Sequence, residues 1–128
     1  MLVRRTGMIK LRGQLKILIE DIHPSVYYQN ATKDTQFPYV VYDLPNSFTN
    51  QDQDIFNLDI DIWDNEEDTT NMEKLATIIW RELHRYRYID EDIQFTIYRM
   101  NRLNIVDDDK RIKRRKLIFQ VRYYDRRV

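Results

Sequence analysis

Between Ile55 and Trp63 the chain alternates with a strict period of two: Phe56, Leu58, Ile60 and Ile62 are apolar, and Asn57, Asp59, Asp61 and Trp63 stand between them. Successive side chains of an extended strand point to opposite faces of a sheet, so the segment predicts a strand with one core face and one acidic face. A slip of one residue would bury every aspartate, which ties the register of this strand to an apolar layer on one side only. Whatever fold the chain adopts must supply that layer.

The flanking segments can supply it. Thr70-x-x-Glu73 matches a capping box, and Met72, Leu75, Ala76, Ile79, Leu83 and Tyr86 follow at helical spacing, predicting a helix from Asn71 to Tyr86. An earlier helix is expected from Met8 to Ile22, carried by Leu11, Leu15, Leu18, Ile19 and Ile22 and stopped by His23-Pro24. Phe37 to Leu44, closed by Pro45-Asn46, reads as a strand. Period two returns in Ile93, Phe95 and Ile97, in Leu103 and Ile105, and in Leu117, Phe119, Val121 and Tyr123. Asp107-Asp108-Asp109-Lys110 is the natural turn before the last of these. The expected fold class is α+β, a twisted, mainly antiparallel sheet of four or five strands with two helices packed on one face.

With 128 residues, 2 glycines and 3 prolines, the chain has no flexible linker, and residues 1–128 read as one domain. The absence of cysteine excludes a disulfide scaffold and thiolate chemistry. His23 reads as part of a helix stop. His84 falls near the end of the second helix, where a cation is favoured, and neither histidine is read as a ligand. No apolar region follows the basic start, and no run approaches the ~20 apolar residues of a bilayer span, so neither a signal peptide nor membrane association is expected.

Asp59, Asp61 and Asp64, with Glu66, Glu67 and Asp68 close behind, suggest Mg²⁺ or a carboxylate pair for hydrolysis, because hard cations need clustered oxygen ligands. A solvated strand face followed by an acidic helix start, favoured by the macrodipole, is the preferred reading of them, and a metal-dependent nuclease ranks last. Gly-rich phosphate loops, nucleophile elbows and metalloprotease helices are missing from the sequence. The expectation is therefore of no enzyme: no catalytic residue, no metal and no cofactor.

Charge is more informative in its distribution than in its sum. Lysine plus arginine equals aspartate plus glutamate at 21 each. From Gln51 to Glu73, however, every charge is acidic, whereas Lys110, Arg111, Lys113, Arg114, Arg115 and Lys116 form a basic run continued by Arg122, Arg126 and Arg127, and Arg4, Arg5, Lys10, Arg12 and Lys16 load the start. Cross-strand pairs within the monomer can neutralise such segregation. A head-to-tail contact between copies can do so as well. On the second reading Asp64, Glu66, Glu67 and Asp68 of one subunit meet Arg111, Lys113, Arg114 and Arg115 of the next. The alternative is a small nucleic-acid-binding module using the basic 110–116 segment, with Tyr123 and Tyr124 available for stacking.

Phe37-Pro38-Tyr39-Val40-Val41-Tyr42-Asp43-Leu44, the alternating Phe56 to Asp64 and the helix begun by Met72-Glu73-Lys74-Leu75 together resemble the tail terminator and head-tail joining (tail completion) proteins of long-tailed bacteriophages. The resemblance covers most of the chain and carries no catalytic signature. It implies a virion structural protein assembled in the host bacterial cytoplasm, forming a ring, often a hexamer, that caps the tail tube. The implied partners are further copies of the chain, the tail-tube protein and the head connector, with DNA passing through the ring unread.

Overall fold

The computed structural model describes residues 2–126, and side chains from residue 7 onward. Arg127 and the side chains of Arg4 and Arg5, all counted among the basic residues above, lie outside the described residues. The chain runs α1 (Leu2–Glu20), β1 (Val26–Tyr28), β2 (Tyr39–Asp43), β3 (Ser47–Asn50), β4 (Gln53–Asp64), α2 (Thr70–Leu83), β5 (Arg87–Ile89), β6 (Ile93–Val106) and β7 (Lys113–Asp125). It is α+β, but the expected mainly antiparallel sheet of four or five strands is overturned.

Seven strands form one mixed sheet in the order β1-β2-β4-β7-β6-β5, with β3 paired to β4 beside β2, and the sheet curls into a half-barrel. β1 runs parallel to β2, while every other pair is antiparallel. The three strands absent from the sequence reading, β1, β3 and β5, have 3, 4 and 3 residues, too few to display a period. The two strands expected around Ile97 and Leu103 are instead one strand of 14 residues with a bulge between Arg99 and Asn101.

β4 has the register its alternation demands. Leu58, Ile60 and Ile62 are fully buried, Phe56 is nearly so, and the intervening Asn57, Asp59 and Asp61 are half-buried on the other face. The core joins these residues to Leu11, Leu15 and Ile19 of α1, to Met72, Ala76, Ile79 and Leu83 of α2, and to Phe95, Ile97, Leu117, Phe119, Val121 and Tyr123 of β6 and β7. Both helices therefore cover one face of the sheet. Among the described residues no helix lies on the opposite face.

α2 begins at Thr70, and its capping box does not form. Thr69 occupies the N-cap without a side-chain cap bond. Asp68 Oδ1 takes over, accepting from the Thr70 N–H at 2.9 Å and the Thr70 hydroxyl at 2.6 Å. Glu73 turns instead to the Arg115 guanidinium, a charged donor that outcompetes a backbone amide.

Candidate functional site

The sheet face opposite the helices carries a ladder of paired charges between β4 and β7. β4 and β7 pair along their length, which sets Asp61 opposite Lys116, Trp63 opposite Arg114 and Asp64 opposite Lys113. The acidic and basic stretches of the sequence thus lie side by side in one subunit. Arg114 Nε donates to Asp61 Oδ1 at 3.0 Å, and its guanidinium lies 4.7 Å from the centre of the Trp63 ring. Lys116 Nζ lies 3.4 Å from Asp59 and 3.9 Å from Asp61. Trp63 stacks on Tyr39 with ring centroids 6.2 Å apart, and Tyr39 meets Phe37 and Tyr27 in turn. Burial, then the nearby Asp107 carboxylate, raises the Tyr39 phenol above its ordinary pKa.

A groove of about 320 Å³ opens beside this ladder, lined by Asn30, Thr32, Tyr39, Asp61, Trp63 and Arg114 among others. Its charges already satisfy one another, and it holds neither a nucleophile with a base nor a set of cation ligands. Among the described residues no group of three or more His, Asp or Glu side chains is placed to hold a metal ion.

The residues expected at a subunit contact are placed as follows. Glu66, Glu67 and Asp68 are exposed in the β4–α2 loop. Hydrogen bonds from the Thr70 hydroxyl and amide hold the Asp68 carboxyl below the usual carboxylate range. Asp64 is not in that loop: it ends β4 on the core side with 2% exposure, and its Oδ1 accepts the Asn65 N–H at 2.8 Å. Arg111 is exposed at the β6–β7 turn and bonds Asp109 at 3.0 Å. The Lys113 ammonium donates to the Lys110 carbonyl at 2.6 Å. Arg114 is committed to Asp61 and Arg115 to Glu73. The structure therefore brings the basic segment to β4 and α2 of its own chain, and not to the 66–68 loop.

Sequence reading missed the far half of the β6–β7 hairpin as a surface. β5 pairs with β6 only over Gln94–Thr96, so from Asn101 to Val106 no described strand covers the outer edge of β6. Met100, Leu103 and Val106 on this arm are exposed, Val106 at 93%. His84 marks the point where the edge becomes free: its Nδ1 accepts the Arg99 N–H at 3.1 Å, which puts the ring proton on Nε2. Burial, followed by Arg99 and Arg85, lowers the pKa of that imidazole. No helix among the described residues is long and apolar enough to cross a membrane.

No family model and no curated protein matches the sequence. Among solved structures, a chain of the virion of native gene transfer agent (GTA) particle has a similar fold, with a TM-score of 0.64, 9% identity and 84% of each chain covered. At that identity the likeness shows a shared fold.

Proposed function

We propose that this chain is a structural protein of a phage-like particle, a tail terminator whose copies form a ring that closes the tail tube and joins it to the head connector. The observation that carries the reading is the fold shared with a chain of a gene transfer agent virion over 84% of both chains. It is supported by an architecture suited to assembly: a sheet with one uncovered face and an arm whose apolar residues project from the core. On this reading the protein performs no catalysis and takes no cofactor. DNA passes through the ring without sequence recognition, and the protein belongs at the tail or head-tail interface.

Light scattering over a concentration series, alone and with the tail-tube protein, tests the reading, with electron microscopy of any particles formed. Discrete ring-shaped multimers are expected. A chain that stays monomeric at high concentration and beside the tail-tube protein, yet binds DNA in a salt-dependent way, would establish the nucleic-acid module instead. The commitment of Arg114 and Arg115 to carboxylates of their own chain weighs against that outcome.

A further inference from the structure

Five strands of the sheet can be crossed along a single row of paired residues. Tyr27 lies opposite Val41, Val41 opposite Asp61, Asp61 opposite Lys116, and Lys116 opposite Leu103. The adjacent rows run Val26, Val40, Ile62, Arg115, Asn104 and Tyr28, Tyr42, Ile60, Leu117, Arg102. At one end of these rows is β1, which among the described residues pairs on one side only. At the other is the free edge of β6. The two open edges therefore stand at the same level of the sheet.

Their polarity also matches. β2, β4, β7 and β6 are successively antiparallel and β1 is parallel to β2, so β1 and β6 run in opposite directions. Copies related by rotation preserve these directions, and β6 of one copy would meet β1 of the next as an antiparallel pair, the arrangement with perpendicular hydrogen bonds. The side chains agree as well. Tyr27 shares the uncovered face with Leu103 and Ile105, whereas Val26 and Tyr28 share the helix face with Arg102, Asn104 and Val106. On the uncovered face Tyr27 would meet Leu103, while on the helix face Val26 would meet Asn104 and Tyr28 would meet Arg102, and β1 itself brings no charge to the seam.

The edge of β6 carries only part of the usual protection: a bulge between Arg99 and Asn101 opens the segment, and Asn101 Oδ1 accepts the Arg102 N–H at 2.9 Å, so that amide is not available to a partner strand. Long free edges are ordinarily guarded by lysine, proline or a covering element. From Asn101 to Val106 there is no lysine and no proline, and Arg102 leans toward α2, 3.7 Å from Glu73 and 5.8 Å from the Trp80 ring centre.

We propose that the free edge of β6, Asn101–Val106, is the docking site for β1 of a second copy of this chain, so that the sheet continues from subunit to subunit. The inference rests on the ring reading above and specifies its seam. Because the Tyr28 carbonyl already accepts the Asn30 N–H at 2.8 Å, backbone hydrogen bonds centred on the Val26–Asn104 pair supply the contact, and the row of Tyr27 with Leu103, or with Ile105 next along the same face, sets its register. The internally paired charges of Asp59, Asp61, Arg114 and Lys116 remain within each subunit.

Because the chain has no cysteine, a disulfide reports the seam directly. Tyr27→Cys is combined with Leu103→Cys, and separately with Ile105→Cys, and each pair is oxidised under conditions where light scattering records multimers. A ladder of covalent multimers in at least one pair, absent from each single variant, is expected. Multimers by scattering without a ladder in either pair would overturn the seam and leave the ring reading standing. A monomer by scattering would overturn both. Dimers from a single variant would reveal like edges meeting and would also overturn it.

Proline gives a second readout. The Arg99 amide points away from β7 to His84, and the extra residue of the bulge shifts the alternation by one, so beyond it the amides of Arg102, Asn104 and Val106 face outward. Asn104→Pro should keep the native circular dichroism and melting transition while losing multimers, because only an outward donor is removed. Multimers undiminished in Asn104→Pro would overturn the proposal.

Discussion

Arg114 and Asp61 stand 53 residues apart in sequence and 3.0 Å apart in space, on neighbouring strands, with the guanidinium also lying against Trp63. Their side chains are 25% and 14% exposed, so solvent screens the pair only in part. Replacing Asp61 with Asn or Arg114 with Gln should each cost roughly 1 kcal/mol, and the double-mutant cycle should show coupling at the upper end of the ~0.2–1 kcal/mol range of exposed pairs. Chemical denaturation at low and high salt measures it, and a vanishing coupling would show the contact to be incidental.

The same pair governs how charge reversal at the basic segment is to be interpreted. Arg114→Glu places a carboxylate beside Asp61 and should lower the melting temperature of the monomer, so a loss of assembly in that variant does not identify an interface. Arg111 also pairs with a carboxylate, that of Asp109, but its side chain is 87% exposed and solvent screens the contact far more completely. Arg111→Glu should leave stability within ~0.5 kcal/mol of the parent, as surface changes usually do. Thermal melting of the two variants side by side distinguishes them.

Ile60 lies at the centre of β4, fully buried among residues of both helices and the neighbouring strands. Truncation to alanine should cost ~2–5 kcal/mol, the transfer term of the lost methyl groups plus the cavity left behind. Urea denaturation gives the value, and a change below ~1 kcal/mol would mean that the core collapses around the site far more readily than close packing allows.

β4 was legible in the sequence because nine residues keep one period and one face. β6 was not, for a physical reason visible at its bulge. Ile97 pairs with Val121 on the core face, while Leu103, also an odd-numbered position, pairs with Lys116 on the uncovered face. The extra residue near Met100 reverses the alternation, so the apolar pattern breaks where the strand does not. β1, β3 and β5 are shorter than the window any periodicity needs, and the parallel pairing of β1 depends on a crossover that no local signal announces. The segregation of charge was evident from the residues alone, but its resolution was not: whether Arg115 meets Glu66 of a neighbour or Glu73 of its own helix depends on a register set by long-range pairing.

Gly7 illustrates a tertiary constraint with no sequence signature. A Cβ at this position of α1 would lie 2.1 Å from the Tyr123 hydroxyl and 3.2 Å from Asp125 Oδ2, both of which belong to β7 beneath the helix. Tyr123 is almost wholly buried and has little room to yield. Gly7→Ala should therefore destabilise by ~1–3 kcal/mol despite alanine's better helix propensity, because overpacking outweighs the ~1 kcal/mol that propensity contributes. In the double variant with Tyr123→Phe the obstructing oxygen is gone, and the nearest remaining ring atom is 3.4 Å away. The double variant should be less destabilised than the sum of the singles, and strict additivity in denaturant melts would refute the clash.

The attachment of α1 to the β5–β6 turn should make stability depend on pH in acid. Lys10 Nζ lies 2.6 Å from Asp90 and 2.5 Å from Asp92, and Asp90 also accepts from the Tyr88 hydroxyl at 2.8 Å and from the Asp92 and Ile93 amides at 2.7 and 2.9 Å. Burial pushes the Asp90 pKa upward, but the hydrogen bonds from Lys10, the Ile93 amide, Tyr88 and the Asp92 amide outweigh it and hold the carboxyl well below the ordinary range. A carboxylate depressed in the folded state favours folding above its unfolded pKa, and that contribution is lost as pH falls through the folded value. The Asp90 contribution should thus be complete above pH ~4 and decline steadily below it. Lys10 is shifted the other way, raised first by the Asp90 bond and then by that to Asp92, so its contribution persists through neutral pH and is lost only in strong base. Melting temperatures between pH 2 and pH 7 should fall less steeply in Asp90→Asn than in the parent, with Lys10→Met intermediate because the tyrosine and amide donors remain. Parallel acid profiles for Asp90→Asn and the parent would show that the carboxylate does not anchor α1.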